Sequence, residues 1–81
     1  MIGARKLARE LGINERTMRR YIKRGLVRAV KIKNRWVIPT DEEKRIREAF
    51  ELAKKLLPIV YPALWLALTK ESIKEIKESL G

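Results

Sequence analysis

The chain has 81 residues, with 20 Lys and Arg against 10 Asp and Glu, for a formal net charge of +10. That length allows one compact domain with an appended helix and leaves no room for a separate catalytic domain. Cys and His are both absent, which excludes disulfides, ordinary zinc-ligand patterns and an imidazole to activate Thr17, Thr40, Thr69, Ser72 or Ser79; the expectation is a binding protein rather than an enzyme, with no catalytic, cofactor or metal residues.

The N-terminal stretch MIGARKLARELG lacks the apolar core of a secretory signal, so the expected location is cytoplasmic. Within it Ala4, Leu7, Ala8 and Leu11 recur at i, i+3, i+4 and i+7, one face of a helix, and Gly12 supplies a left-handed stop. Asn14 suits the N-cap of a second helix, with Ile13 before it able to meet Met18 as a hydrophobic staple. In that helix, spanning 14–24, Met18, Tyr21 and Ile22 point inward. Arg16, Arg20 and Lys23, spaced i, i+4 and i+7, face outward, flanked by Thr17, Arg19 and Arg24. Gly25 ends it, and Leu26 can fold back onto it. Two short helices joined this tightly make a helix-turn-helix, although many amphipathic helix pairs never meet DNA. The outward face tips the balance: residues 16–24 hold five Lys and Arg and no acid, whereas a solvated helix face mixes Glu with Lys.

LVRAVKIKNRWVIP, from Leu26 to Pro39, is rich in β-branched residues, alternates in polarity and reads as a hairpin. A two-residue loop at Lys33-Asn34 would oppose Lys31 to Trp36 and mix core with solvent on one face. A three-residue loop, Lys33-Asn34-Arg35, pairs Ile32 with Trp36 and Val30 with Ile38 on one apolar face, and that register is expected. Lys31, Lys33 and Arg35 then sit at or beside a basic tip, with Asn34 able to turn left-handed. A lone Trp between apolar neighbours fits the core better than a base-stacking platform, and the Tyr21 ring packs inward with its hydroxyl free to reach a phosphate.

The sequence TDEE opens a third helix over about 41–57, with Thr40 and Glu43 as a capping box and Lys54 and Lys55 in the last turn to match the helix dipole. Ile46, Ala49, Phe50, Ala53, Leu56 and Leu57 form its stripe, and Pro58 and Pro62 break or restart the chain. From Pro62 to Gly81 the pattern reads as further helix, with Leu68, Ile73, Ile76 and Leu80 on one side. The stretch from Ile59 to Leu68 is apolar on every face. The simplest cover is a subunit interface, and the alternative is folding back onto a monomeric core. Leu56 to Leu68 holds two prolines and is too short to span a bilayer, so no membrane association is expected.

The charge is divided as sharply as the pattern. Residues 1–40 carry twelve Lys and Arg against Glu10 and Glu15, while residues 41–81 carry eight of each sign. A thermophile's surface, which the abundant Lys, Arg and Glu and the absence of Gln suggest, would mix signs throughout. A one-sided excess calls for a polyanion, most simply nucleic acid.

The segment ARKLARELGINERTMRRYIKRGLVRAVKIKNRWVIPTDE resembles the excisionase-like, MerR-type winged helix-turn-helix domains. The likeness covers about the first half of the chain, residues ~2–45, most specifically in GINERTMRRYIKRGLV and AVKIKNRWVIP. It implies a second helix in the major groove of double-stranded DNA and a wing on the backbone or minor groove. Carried to matching positions, Arg16, Thr17 and Arg20 approach base edges, Arg19, Tyr21 and Lys23 lie near phosphates, and Lys33 and Arg35 lie on the wing; Arg24, Lys31 and Asn34 complete the candidate set. Many relatives have glycine where this chain has Lys33 and Asn34, which separates the wing's shape from its charge.

The resulting expectation is a mainly α fold with one β-hairpin, comprising a winged helix-turn-helix over 1–40 and a helical assembly region over 41–81 that forms a homodimer. Its function would be site-specific regulation, or accessory work in excision or recombination. The rivals are a sequence-indifferent architectural protein and a DNA-bound adaptor that recruits a protein partner through its apolar C-terminal half. RNA fits less well, because Tyr21 and Trp36 offer no exposed stacking platform.

Overall fold

The computed structural model describes residues 1–56 and 62–81. In chain order the elements are β1 (Ile2–Gly3), α1 (Ala4–Leu11), α2 (Glu15–Lys23), β2 (Val30–Ile32), β3 (Arg35–Ile38), α3 (Thr40–Leu56), α4 (Pro62–Trp65) and α5 (Lys70–Leu80). This is a mainly helical winged helix-turn-helix fold.

Local chemistry explains the turn between α1 and α2. Gly12 takes φ 73°, and the amides of Gly12 and Ile13 close back onto the carbonyls of Arg9 and Ala8. That left-handed closure is inexpensive only for glycine and satisfies two of the carbonyls α1 would otherwise leave open. The Asn14 side chain then accepts the Arg16 amide at 2.8 Å. Ile13 and Met18, on either side of that cap, are both buried. At the far end of α2 the same closure recurs, with Gly25 at φ 83° and Leu26 donating to the Tyr21 carbonyl at 3.0 Å.

The sheet has three antiparallel strands in the order β1-β3-β2. Strand β1 is not among the expected elements, because two residues carry no periodicity. The hairpin register also differs from the expected one: Ile32 faces Arg35, Lys31 faces Trp36 and Val30 faces Val37. The loop is therefore Lys33-Asn34 alone, with both residues at positive φ, 48° and 65°. Such a turn matches the right-handed twist of the flanking strands, which a longer loop need not do. The register puts Lys31 on the core side, where its ammonium lies 5.6 Å from the centroid of the half-buried Trp36 ring. A lysine stem can cover an aromatic while its charge stays in water, so the mixed face carries little penalty. Val30 and Ile32 instead point outward and are 42% and 44% exposed.

Helix α3 begins one residue before its expected start, and the Thr40–Glu43 capping box is not made. The Thr40 hydroxyl accepts the Met1 ammonium at 2.9 Å, and the Glu43 amide bonds the Pro39 carbonyl. Ile46, Ala49, Leu52 and Ala53 are buried along it and Phe50 packs beside them, whereas Leu56 is exposed. The expected roles of Leu57, Pro58, Ile59, Val60 and Tyr61 lie outside the described residues.

Beyond Pro62 two helices replace the expected single one. Thr69 adopts an extended backbone and its hydroxyl accepts the Ser72 amide at 3.1 Å, capping α5. A threonine at that position competes with helix propagation and starts a new helix instead. Trp65 and Leu66 are buried within the chain, the Trp65 ring lying 5.3 Å from Phe50. Ile73 is buried, while Leu80 is exposed and leaves the expected row. One hydrophobic cluster runs from Leu7 and Met18 through Val27 and Ile38 to Ile46, Leu52, Trp65 and Ile73. The winged half and the later helices thus share a core.

Candidate nucleic-acid interface

Helix α2 turns two buried residues, Met18 and Ile22, toward the core and leaves Arg16, Arg19, Arg20, Lys23 and Arg24 exposed. At 100° per residue Arg16, Arg20 and Lys23 fall within one narrow stripe. Thr17 and Tyr21 are half-buried at its edge. Six residues, Arg24 to Ala29, lead from α2 to the hairpin, where Lys31, Lys33, Asn34 and Arg35 are all exposed around the turn. Each candidate side chain except Thr17 and Tyr21 is therefore open to solvent.

Ion pairing divides the charges into two populations. Glu15 reaches Arg5 at 3.3 Å, Glu10 reaches Arg47 of α3 at 2.6 Å, and Asp41 is bonded to Arg28. Both acids of the first half are thereby held by partners outside α2. Among the described residues, Arg16, Arg19, Arg20, Lys23, Arg24, Lys31, Lys33 and Arg35 have no carboxylate within 4.0 Å. Lys6 and Arg9 on the exposed side of α1 share that state. Neither is among the candidates taken from the sequence, although the spacing of Ala4, Leu7, Ala8 and Leu11 puts both outside the apolar face of the first helix. Cations crowded together without counter-charges raise the local potential and favour a polyanion.

Behind this surface lies a feature that sequence reasoning missed. Glu42 and Arg45 on α3 form a salt bridge whose side chains are only 9% and 11% exposed. Arg45 binds both carboxylate oxygens, Nε to Oε1 at 2.7 Å and Nη2 to Oε2 at 2.8 Å. Its remaining donors reach the carbonyls of Leu26 at 3.0 Å, Leu66 at 2.8 Å and Leu68 at 2.6 Å. Glu42 also accepts the backbone amide of Arg28 at 2.7 Å. Burial works to raise the Glu42 pKa, but the bonds from Arg45 and the Arg28 amide outweigh it and hold the carboxyl below its ordinary value. Nothing in a Glu-x-x-Arg spacing separates such a pair from a solvated one.

A tight helix pair, a basic second helix and a basic two-stranded wing define a winged helix-turn-helix DNA-binding domain. Residues 3–42 match the family model described as a helix-turn-helix domain, and this part of the chain is an excisionase-like helix-turn-helix DNA-binding domain. No curated protein and no solved structure matches the chain. Among the described residues, no helix is long and apolar enough to cross a membrane.

Proposed function

We propose that this protein binds double-stranded DNA at specific sites, as a transcription regulator or as an accessory factor in excision or recombination, with α2 in the major groove and the wing on the backbone or minor groove. The observation that carries this reading is the set of exposed, acid-free cations on α2 and the wing. Arg16 and Arg20 are the residues placed to read guanine through paired hydrogen bonds, with Thr17 beside them. Arg19, Lys23, Arg24, Lys31, Lys33 and Arg35 contact phosphates. The work is binding rather than catalysis, carried out in the cytoplasm on nucleoid DNA.

Residues 41–81 supply the second element of the proposal, a homodimer interface. Their net charge is zero, so two chains can approach there without the repulsion their first halves would create. Leu56, Leu64 and Leu80 are 47%, 62% and 57% exposed in that half, which supports an apolar contact, although Trp65 and Leu66 find cover within the chain itself. The same leucines would serve an adaptor that recruits a different protein. Sedimentation at several concentrations separates the two: a dimer supports self-association, and a persistent monomer favours the adaptor.

Selection of bound duplexes from a random pool, at two salt concentrations, tests the DNA reading. A recovered inverted repeat with half-sites about 10 bp apart supports a site-specific dimer. Strong, salt-sensitive binding with no enriched motif moves the assignment to a sequence-indifferent architectural protein.

A further inference from the structure

Arg45 uses all five of its N–H donors inside the protein, two on Glu42 and one each on Leu26, Leu66 and Leu68. These partners come from separate parts of the chain. Leu26 belongs to the corner between α2 and the wing, and its amide closes the end of α2 on Tyr21 at 3.0 Å while its carbonyl accepts from Arg45. Two residues further on, the Arg28 amide donates to Glu42 at 2.7 Å, just before β2 begins. The corner joining the two DNA-facing elements is therefore pinned by two backbone groups to one ion pair on α3. The other two bonds tie the same guanidinium to the segment between α4 and α5.

Stability alone does not explain this arrangement. A buried ion pair holds a core no better than apolar side chains of similar volume, because desolvation offsets the attraction. What it adds is direction: five short, oriented bonds fix where each carbonyl and amide must sit, whereas a leucine would accept many arrangements. The side chains also stand apart from the exposed cations of α2 and the wing, so any influence on DNA passes through the backbone.

We infer that Arg45, acting with Glu42, is a positioning residue for DNA binding: it fixes the wing relative to α2 so that both engage one duplex together. The inference rests on the reading of α2 and the wing as the DNA interface. It also makes the segment from Leu66 to Leu68 part of the support of that interface.

The test is a double-mutant cycle on the full chain, using a duplex recovered by selection. Lys33→Ala with Arg35→Ala removes the wing's charges, and in the native background it should weaken binding about tenfold, an effect of ordinary size for paired contacts. In Arg45→Met, and again in Arg45→Lys, the same wing changes should cost less than about twofold, because a displaced wing has little left to lose. Arg45→Lys retains the charge opposite Glu42 and serves where Arg45→Met does not fold. A merely structural role would lower the folded fraction and leave the wing's tenfold effect intact in the folded molecules, and that result would overturn the inference. Amide exchange on the free protein forms a DNA-independent arm. In Arg45→Lys the Arg28 amide should exchange at least about tenfold faster while the amides of α1 keep their protection. Unchanged protection at Arg28 counts against the positioning role whether or not the native protein binds duplex, whereas failure of the native protein to bind any duplex removes the interface reading itself.

Discussion

Two sets of arginines in this small protein have opposite surroundings. Those of α2 stand in water with no carboxylate within 4.0 Å, since Glu15 on the same helix pairs with Arg5 instead, while Arg45 on α3 is almost completely enclosed and has a partner for every donor. An arginine whose donors are used internally shapes the protein, and one whose donors are free is available to a ligand. The difference follows from where the acids bond: Glu10, Glu15, Asp41 and Glu42 engage Arg47, Arg5, Arg28 and Arg45, and none of these four arginines belongs to α2.

Breaking the enclosed set should have the largest effect. Arg45→Met strands the Glu42 carboxylate in a nearly dry site, and a stability loss of about 3–5 kcal/mol is expected in urea unfolding. Replacing both partners with apolar residues should recover much of that loss, as a sharper check that the penalty comes from the orphaned charge. Arg16→Ala, in the open set, should leave the urea midpoint unchanged but erase about 1–3 kcal/mol of discrimination at one base pair, read by competition between duplexes. An equal loss on every duplex would show that Arg16 contacts phosphate instead.

Acid should distinguish the two sets without any mutation. The Glu42 carboxyl is held below its ordinary value of 4.5, so the folded state binds that proton less readily than the unfolded chain. Its contribution to stability is complete above about pH 4.5 and is lost as the pH falls through the lower folded value, visible as a declining unfolding midpoint. The arginines of α2 have no carboxylate partner to lose to a proton and contribute no such decline. Lys33→Ala should weaken all duplexes alike and reduce the slope of log affinity against log salt by about 0.9. The smallest effect belongs to the turn. Asn34→Gly relieves a side chain held at φ 65° and should raise stability by a few tenths to about 1 kcal/mol in thermal unfolding, with the wing's charge unchanged.

The parts of this structure that could be read in the sequence are those determined by neighbours along the chain. The apolar spacing from Ala4 to Leu11, the cap at Asn14 and the left-handed glycines at positions 12 and 25 specify the helix pair through local bonds, and the exposure of the basic stripe on α2 follows from the same period. The hairpin was visible but its register was not. Polarity alternation puts Val30, Ile32, Trp36 and Ile38 on one face, whereas Lys31 covers Trp36 and lets the two-residue turn prevail. Thr40 looked like one half of a capping box, yet its hydroxyl meets Met1, a partner 39 residues away. The Glu42–Arg45 pair was hidden for the same reason, since its burial depends on Leu26 and on Leu66 to Leu68, which only the tertiary fold brings together.

The most direct test of the central claim, that an unpaired cationic surface on α2 and the wing holds duplex DNA, is the salt dependence of binding to one duplex by the native protein. The account predicts a log–log slope several units below zero, near −0.9 per phosphate contacted, that becomes shallower when Arg19, Lys23 and Lys33 are replaced by Ala. A slope near zero, or one that those replacements leave unchanged, would contradict it.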